Sequence, residues 1–145
     1  MSHRAAGELT ALIEAYAAAW RSGETEALKA FWNTSANPVY LAEEADAVFT
    51  DWDQVEAYWA ANRQQGFDVE LNFRDPCFTD MGADLVLAVW RMDWRVGFPD
   101  KPAMAGDNRV AALCRRTGDG WRFAAWIEAP LAPITYMRKL YEARA

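Results

Sequence analysis

The apolar residues of this chain keep one period in its first half and another in its second, and no all-helical or all-strand fold satisfies both. From Glu8 onward, Leu9, Leu12, Ile13, Tyr16 and Trp20 recur at the three-and-four spacing of one helical face. Alanines fill the intervening positions, so a helix is predicted to run to a stop near Gly23. Glu24, Thr25 and Glu26 place acids where a helix start favours them, and Ala27, Leu28, Phe31 and Trp32 form a shorter second stripe. Pro38–Ala42 and Ala47–Phe49 read as two short strands around an acidic tip, Glu43, Glu44 and Asp46. Thr50 or Asp51 then caps a third helix whose face carries Trp52, Val55, Tyr58, Trp59 and Asn62 and which Gly66 ends.

Beyond Gly66 the period becomes two. Phe67, Val69, Leu71 and Phe73 alternate with Asp68, Glu70, Asn72 and Arg74, the pattern of a strand with one wet face, and Pro76 and the turn at Asp80–Gly82 close it. In the long strand Leu85–Val96 the even positions, from Val86 to Val96, are all apolar. The odd positions run Leu85, Leu87, Val89 and then Arg91, Asp93, Arg95, half apolar and half charged. Strands at about Asp107–Arg116 and Trp121–Ala129 flank the turn Gly118-Asp119-Gly120, and a last helix spans Ile134–Arg144 with Met137, Leu140 and Tyr141 at helical spacing. No repeat or linker divides residues 1–145, a length that suits one hydrophobic core. The expectation is a single α+β domain with helices first and an antiparallel meander after them.

Charge and composition narrow the partners. Fifteen basic against twenty-one acidic side chains leave a net charge of −6, without the basic surplus that phosphate-backbone binding draws on, so nucleic acid is not an expected partner. No apolar run approaches the length of a membrane span or a secretory signal core, and the expected location is the cytoplasm. Cys77 and Cys114 form no CxxC pair and are read as reduced, buried thiols. The one histidine, His3, lies close to the terminus, which leaves no zinc constellation and no Ser-His-Asp or Cys-His arrangement; no metal is expected. Eight tryptophans, seven phenylalanines and five tyrosines exceed what packing a small core requires and point to an aromatic-lined interior, an interface, or both.

Three segments carry a resemblance. Ala15–Leu28, reading AYAAAWRSGETEAL, resembles the "A-W-x-x-G-D/E-x-x-A-L" segment of SnoaL-like proteins. Trp52–Trp59 is similar to their "G-x-x-A-I-x-x-Y/F-W" helix, and Val110–Arg116 followed by Gly120-Trp121-Arg122-Phe123 is similar to their final hairpin. The chain therefore resembles the SnoaL-like members of the nuclear transport factor 2-like superfamily over most of its length. That resemblance implies a cone-shaped α+β fold, N-terminal helices packed on a strongly curved antiparallel sheet, with an apolar pocket suited to a small hydrophobic molecule. It also implies a choice between cofactor-free isomerase, cyclase or dehydratase chemistry and a non-catalytic dimerisation or assembly module, because fold alone does not select function. Steroid isomerases of this superfamily carry a carboxylate base on the first strand pair. Here Tyr40 or Leu41 occupies that place, and Ala125, Ile127 and Ala129 stand where relatives put polar groups after the "G-W-R" segment.

Candidate site residues follow from the faces they share. Tyr16 lies on the buried stripe of the first helix, where its hydroxyl either joins the core or donates to a ligand, and Tyr40 reads the same way. Asp93 is an ion pair between Arg91 and Arg95 if it faces water, and an acid or base of raised pKa if it projects into the cone. Asp107 and Arg109 share a strand face as a cross-strand ion pair or as the polar end of a pocket. Glu128, with Trp126 and Arg122 at its parity, is an interface salt bridge or a catalytic carboxylate. Glu43, Glu44 and Asp46 are read as a solvated tip. Catalysis is thus assigned to Asp93 or Glu128, and ligand contact to Tyr16, Trp20, Tyr40, Trp59, Trp90 and Arg109. Trp94, Trp126 and the apolar odd positions Leu85, Leu87 and Val89 suggest that the outer sheet face is covered by a second copy in a homodimer.

Overall fold

A computed structural model describes residues 1–64, 68–130 and 133–143, with the backbone alone at residues 64, 133–136 and 139. The first helix, α1 (His3–Ser22), begins five residues before Glu8 because Ser2 caps it, its hydroxyl accepting from the Ala5 amide at 3.2 Å. Gly23 ends it in the left-handed conformation (φ 72°), its amide returning to the Trp20 carbonyl. Thr25–Phe31 is a 3₁₀ helix that buries Thr25 and Leu28, three residues apart and so on one edge. Of the two short strands expected next, one forms. Val39–Leu41 is β1, whereas Phe49 meets Tyr40 only through a reciprocal pair of backbone hydrogen bonds of 2.9 and 3.0 Å. Asp51 is the cap of α2 (Trp52–Gln64), accepting from the Gln54 amide at 2.8 Å. The expected stop at Gly66 and the apolar Phe67 lie outside the described residues.

Four long strands follow, β2 (Asp68–Gly82), β3 (Leu85–Gly97), β4 (Met104–Thr117) and β5 (Gly120–Pro130), and then α3 (Pro133–Glu142). β2 to β5 pair antiparallel as a meander, and β1 adds to β5 in parallel, giving the order β1-β5-β4-β3-β2. Pro76 does not close β2. It sits with Asp75 (φ 54°) in a bulge opposite Trp90, on an edge strand where its missing N–H breaks no second ladder. Past this bulge Cys77 emerges on the outer face and is exposed, contrary to the expectation of two buried thiols. Cys114 is buried, and burial pushes its thiol up to about 12.

The even positions of β3 face the helices and the odd positions face away. α1 lies across β2 and β5, and the core between them is largely aromatic: Tyr16, Trp32, Trp59, Trp90, Phe123 and Trp126 are all nearly inaccessible. A second bulge shapes this core. Leu113 pairs with Ala125 and Cys114 with Phe123, so Ala124 has no opposite number. Phe123 points inward above it and Trp126 and Glu128 point inward below it, so Arg122 does not share their face. This corrects the basis on which an outer interface was expected, because Trp126 is 1% exposed in the core and Trp94 also faces inward. No helix among the described residues is long and apolar enough to cross a membrane.

The packing generates a stability prediction. Phe123 touches the rings of Tyr16, Trp32, Trp90 and Trp126 at centroid distances of 5.1 to 6.5 Å. Phe123→Ala is expected to lower the unfolding free energy by roughly 3–5 kcal/mol in urea titration, against less than about 1 kcal/mol for Val48→Ala on the surface. A similar cost for both would show that the aromatic core is not where this fold draws its stability.

Candidate functional site

Below the Ala124 bulge, Trp126 and Glu128 enter the inner face from β5, and Tyr40 enters from β1 as the register partner of Trp126. Their rings stack at 6.2 Å and 5°. These side chains stand at one end of a cavity of about 360 Å³. Its walls are aromatic (Trp20, Tyr40, Tyr58, Trp94, Phe98, Trp126) and aliphatic (Val69, Leu71, Met92, Val96, Met104), and its polar contribution comes from Glu43, Glu44, Asn62 and Glu128. Trp94 can lie in this wall because its partner across the ladder is Gly106, where a Cβ would come within 2.8 Å of the indole.

Glu128 is the chemical centre. One carboxylate oxygen accepts from the Trp126 indole N–H at 2.9 Å; the other accepts from the Glu43 amide at 2.9 Å and from Asn108 Nδ2 at 3.3 Å. All three donors are neutral. Burial raises the Glu128 pKa to about 7, the Trp126 and Glu43 hydrogen bonds pull against that rise, and the charges of Glu44 and Glu43 add to it. Burial and the neighbouring Glu44 also raise Glu43 above the usual carboxylate range. Tyr58, on α2, donates to Glu44 Oε1 at 2.6 Å, and burial with that carboxylate pushes its hydroxyl upward. Three buried polar atoms at this end have no hydrogen-bond partner: Glu43 Oε2, Asn108 Oδ1 and Trp94 Nε1.

The structure separates the residues singled out from the sequence. Glu128, Trp20 and Tyr40 line the cavity. Tyr16 and Trp90 stand behind it, each with its ring about 5 Å from Trp126 (5.1 and 5.2 Å). The Tyr16 hydroxyl lies near Trp20, Trp32 and Tyr40 without meeting hydrogen-bond geometry, and burial raises its pKa. Trp59 packs deeper, among Trp32, Tyr40 and Trp52. Asp93 lies on the outer face, where Arg74 holds both of its oxygens at 2.7 and 2.8 Å, so it does not join Glu128. Its partner comes from the neighbouring strand rather than from Arg91 or Arg95. Arg109 is also outside, donating to the Ala129 and Pro130 carbonyls at 3.2 and 3.1 Å. Sequence reasoning missed Glu43, Glu44 and Tyr58 as cavity groups and Asn108 as a donor to Glu128. Of the solvated tip expected at Glu43, Glu44 and Asp46, Glu44 and Asp46 are exposed, whereas Glu43 is half-buried, its amide held by the Glu128 carboxylate, and both Glu43 and Glu44 reach the cavity wall. Among the described residues no group of three His, Cys, Asp or Glu side chains is placed to hold a metal ion.

Comparison with known proteins agrees with this architecture. Residues 9–131 match the model of the SnoaL-like domain. No functionally curated protein matches the sequence. The fold is similar to that of a candidate dehydratase of the nuclear transport factor 2-like family from Streptomyces avermitilis, at 16% identity and TM-score 0.82, covering 90% of this chain and 99% of that one. A candidate aromatic ring hydroxylase from Novosphingobium aromaticivorans is similar at 14% identity and TM-score 0.80, with 92% and 93% covered. A candidate calcium/calmodulin-dependent protein kinase II association domain from Xanthomonas campestris is similar at 12% identity and TM-score 0.75, with 87% of each chain covered. At these identities the likeness is one of fold.

The raised carboxyl predicts its own pH signature. A folded-state pKa near 7 against an unfolded value near 4.5 means the native state holds the proton longer, so this contribution to stability is complete below about 4.5 and is lost as pH rises through about 7. Wild type should therefore lose on the order of 3 kcal/mol relative to Glu128→Gln between pH 4.5 and pH 8 in parallel denaturant titrations. Carbon-13 NMR should place the Glu128 carboxyl transition near 7, and Trp126→Phe, which removes a donor to the ionised form, should move it higher. A transition near 4 would remove the basis for any acid–base role at neutral pH.

Proposed function

We propose, from the premise that this chain belongs to the SnoaL-like domain family, that it binds a small, largely apolar molecule in the aromatic cavity and that Glu128 moves a proton on it. The observation that carries this reading is the carboxyl of Glu128, the more deeply buried of the two raised carboxyls in a largely apolar cavity wall, held by neutral donors alone and raised by burial to about 7. A group near 7 is half ionised in the cell, so it can accept a proton from carbon or return one to a leaving oxygen without a large mismatch in either direction. Its fixed hydrogen bonds supply orientation, and the apolar walls keep water from levelling its basicity. Such chemistry, an isomerisation, cyclisation or dehydration, uses no cofactor. The similarity to a candidate dehydratase supports the reading without specifying the reaction.

A second reading rests on a different observation. The outer face carries an apolar field, Val39, Leu87, Val89, Ala111, Leu113 and Ile127 across four strands, of which Val39, Val89 and Ile127 are about 40% exposed (39%, 39% and 41%). We propose that a second copy covers it, as the similarity to a candidate association domain also suggests. This face can serve a dimeric binding protein or a purely structural assembly module.

Two experiments separate these readings. The neutral dye Nile red should gain fluorescence on binding, and Val96→Trp, which fills the cavity, should abolish that gain. 5-Nitrobenzisoxazole, whose ring opens when a base removes its C3 proton, should be consumed faster as pH rises through about 7, and Glu128→Gln should stop it. Binding without proton transfer would leave a binding protein; the absence of both would leave the assembly module. By sedimentation, wild type should be a dimer and Val89→Glu with Ile127→Glu a folded monomer, and a monomeric wild type would refute the outer interface.

A further inference from the structure

The polar end of the cavity has an unusual balance. Among the described residues that line it there are three carboxyl groups, Glu43, Glu44 and Glu128, and no Lys, Arg or His. Cations beyond the lining have partners of their own: Lys101 lies over the Phe98 ring at 5.4 Å, Arg21 donates to the Leu71 carbonyl, and Arg109 is on the outer face of the sheet. The groups that face Glu128 are Glu43 and Glu44 from the segment after β1, Tyr40 from β1, Tyr58 from α2, Asn108 from β4, and Tyr16 from α1 behind. Every one of them is acidic or neutral.

The unpaired atoms add direction to this charge. Asn108 is 2% exposed, and its Nδ2 must face Glu128, which when ionised only accepts. Its Oδ1 is left as a buried acceptor without a donor, and Glu43 Oε2 is a second, with Trp94 and Asn108 close to Glu43 but outside hydrogen-bond geometry. A buried acceptor without a donor is costly, so Glu43 Oε2 in the cavity wall beside Glu128 favours a donor-bearing group.

We infer that the cavity selects a molecule bearing a protonated amine, its ammonium seated between Glu43 and Glu128 and its apolar body along the aromatic and aliphatic walls. This names the ligand class and rests on the reading of the cavity as a ligand site. The ammonium supplies three N–H donors to groups that need them and neutralises part of the carboxylate charge. A carboxylate or phosphate at the same place would meet three acids and no cation.

The test uses three probes with one body: 4-phenylbutylamine, 4-phenylbutan-1-ol and 4-phenylbutyrate, titrated calorimetrically into the full chain at pH 8 in 0.3 M NaCl. That salt concentration screens loose attraction to the acidic surface. The amine should bind at least tenfold more tightly than the alcohol, and the acid more weakly than either. Amine affinity should rise about tenfold from pH 6 to pH 8, following the ionised fraction of a carboxyl that titrates near 7, while the alcohol stays flat. Glu43→Gln and Glu128→Gln should each bring the affinity for the amine to within about threefold of that for the alcohol. Equal or tighter binding of the alcohol or the acid would overturn the inference and leave the cavity as a ligand site. An amine preference that survives both substitutions would overturn it as well. If none of the three binds and Nile red also fails, the ligand-site reading itself falls.

Discussion

One unpaired residue in β5 determines what this cavity contains. Strict alternation from Phe123 would put Ala125 and Ile127 inside and Trp126 and Glu128 in the outer layer; the extra residue at Ala124 reverses that. Above the bulge Phe123 fills the core, and below it Trp126 stacks on Tyr40 and Glu128 enters the cavity wall. The aromatic core and the polar centre are therefore consequences of the same local backbone feature. Taking a carboxylate out of water costs several kcal/mol if it is left alone. Three hydrogen bonds from Trp126, Glu43 and Asn108 offset part of that cost, which is why the group settles near 7 instead of remaining protonated throughout the physiological range.

The second bulge, at Asp75 and Pro76, does comparable work at the other edge. It lets β2 continue past a residue that cannot donate to a ladder, and β2 then covers the far side of β3 over its whole length. The outer face divides accordingly. Cross-strand charges such as Arg74 with Asp93 and Arg91 with Asp107 occupy one end, and aliphatic side chains occupy the other. Exposed pairs of this kind contribute little stability, so their main effect is to keep that half of the sheet wet while the apolar half stays available for contact.

How much of this could be read from the sequence depends on the range of the information. The change of period identified the helices and the long strands, because amphipathic spacing is local and survives without knowledge of partners. The parallel pairing of the three-residue β1 with β5 was not readable, since it joins segments about 85 positions apart and carries no pattern of its own. Asp93 between two arginines announced an ion pair correctly in kind, although the partner proved to be Arg74 across the ladder. For Glu128 the sequence misled in one specific way. Parity counted through Ala124 grouped it with Arg122, and a single bulge, invisible in the run Phe123-Ala124-Ala125-Trp126, changes every face beyond it. Glu43 departs from the expected solvated tip for the complementary reason: an acidic tip is solvated unless something distant anchors it, and the anchor at the Glu43 amide is Glu128, whereas Glu44 stays exposed.

The proposed base and the proposed cation receptor share one carboxyl, and the two roles would constrain each other. An ammonium seated between Glu43 and Glu128 would stabilise the ionised form of Glu128 and draw its pKa below 7. The residue would then enter the bound complex as a carboxylate, able to take a proton but not to give one first. A neutral ligand would leave it near 7, able to act in either sense. On the proposed reading the order of proton transfer would be set by the charge of what enters the cavity, because no basic side chain among the described lining residues can take over that part.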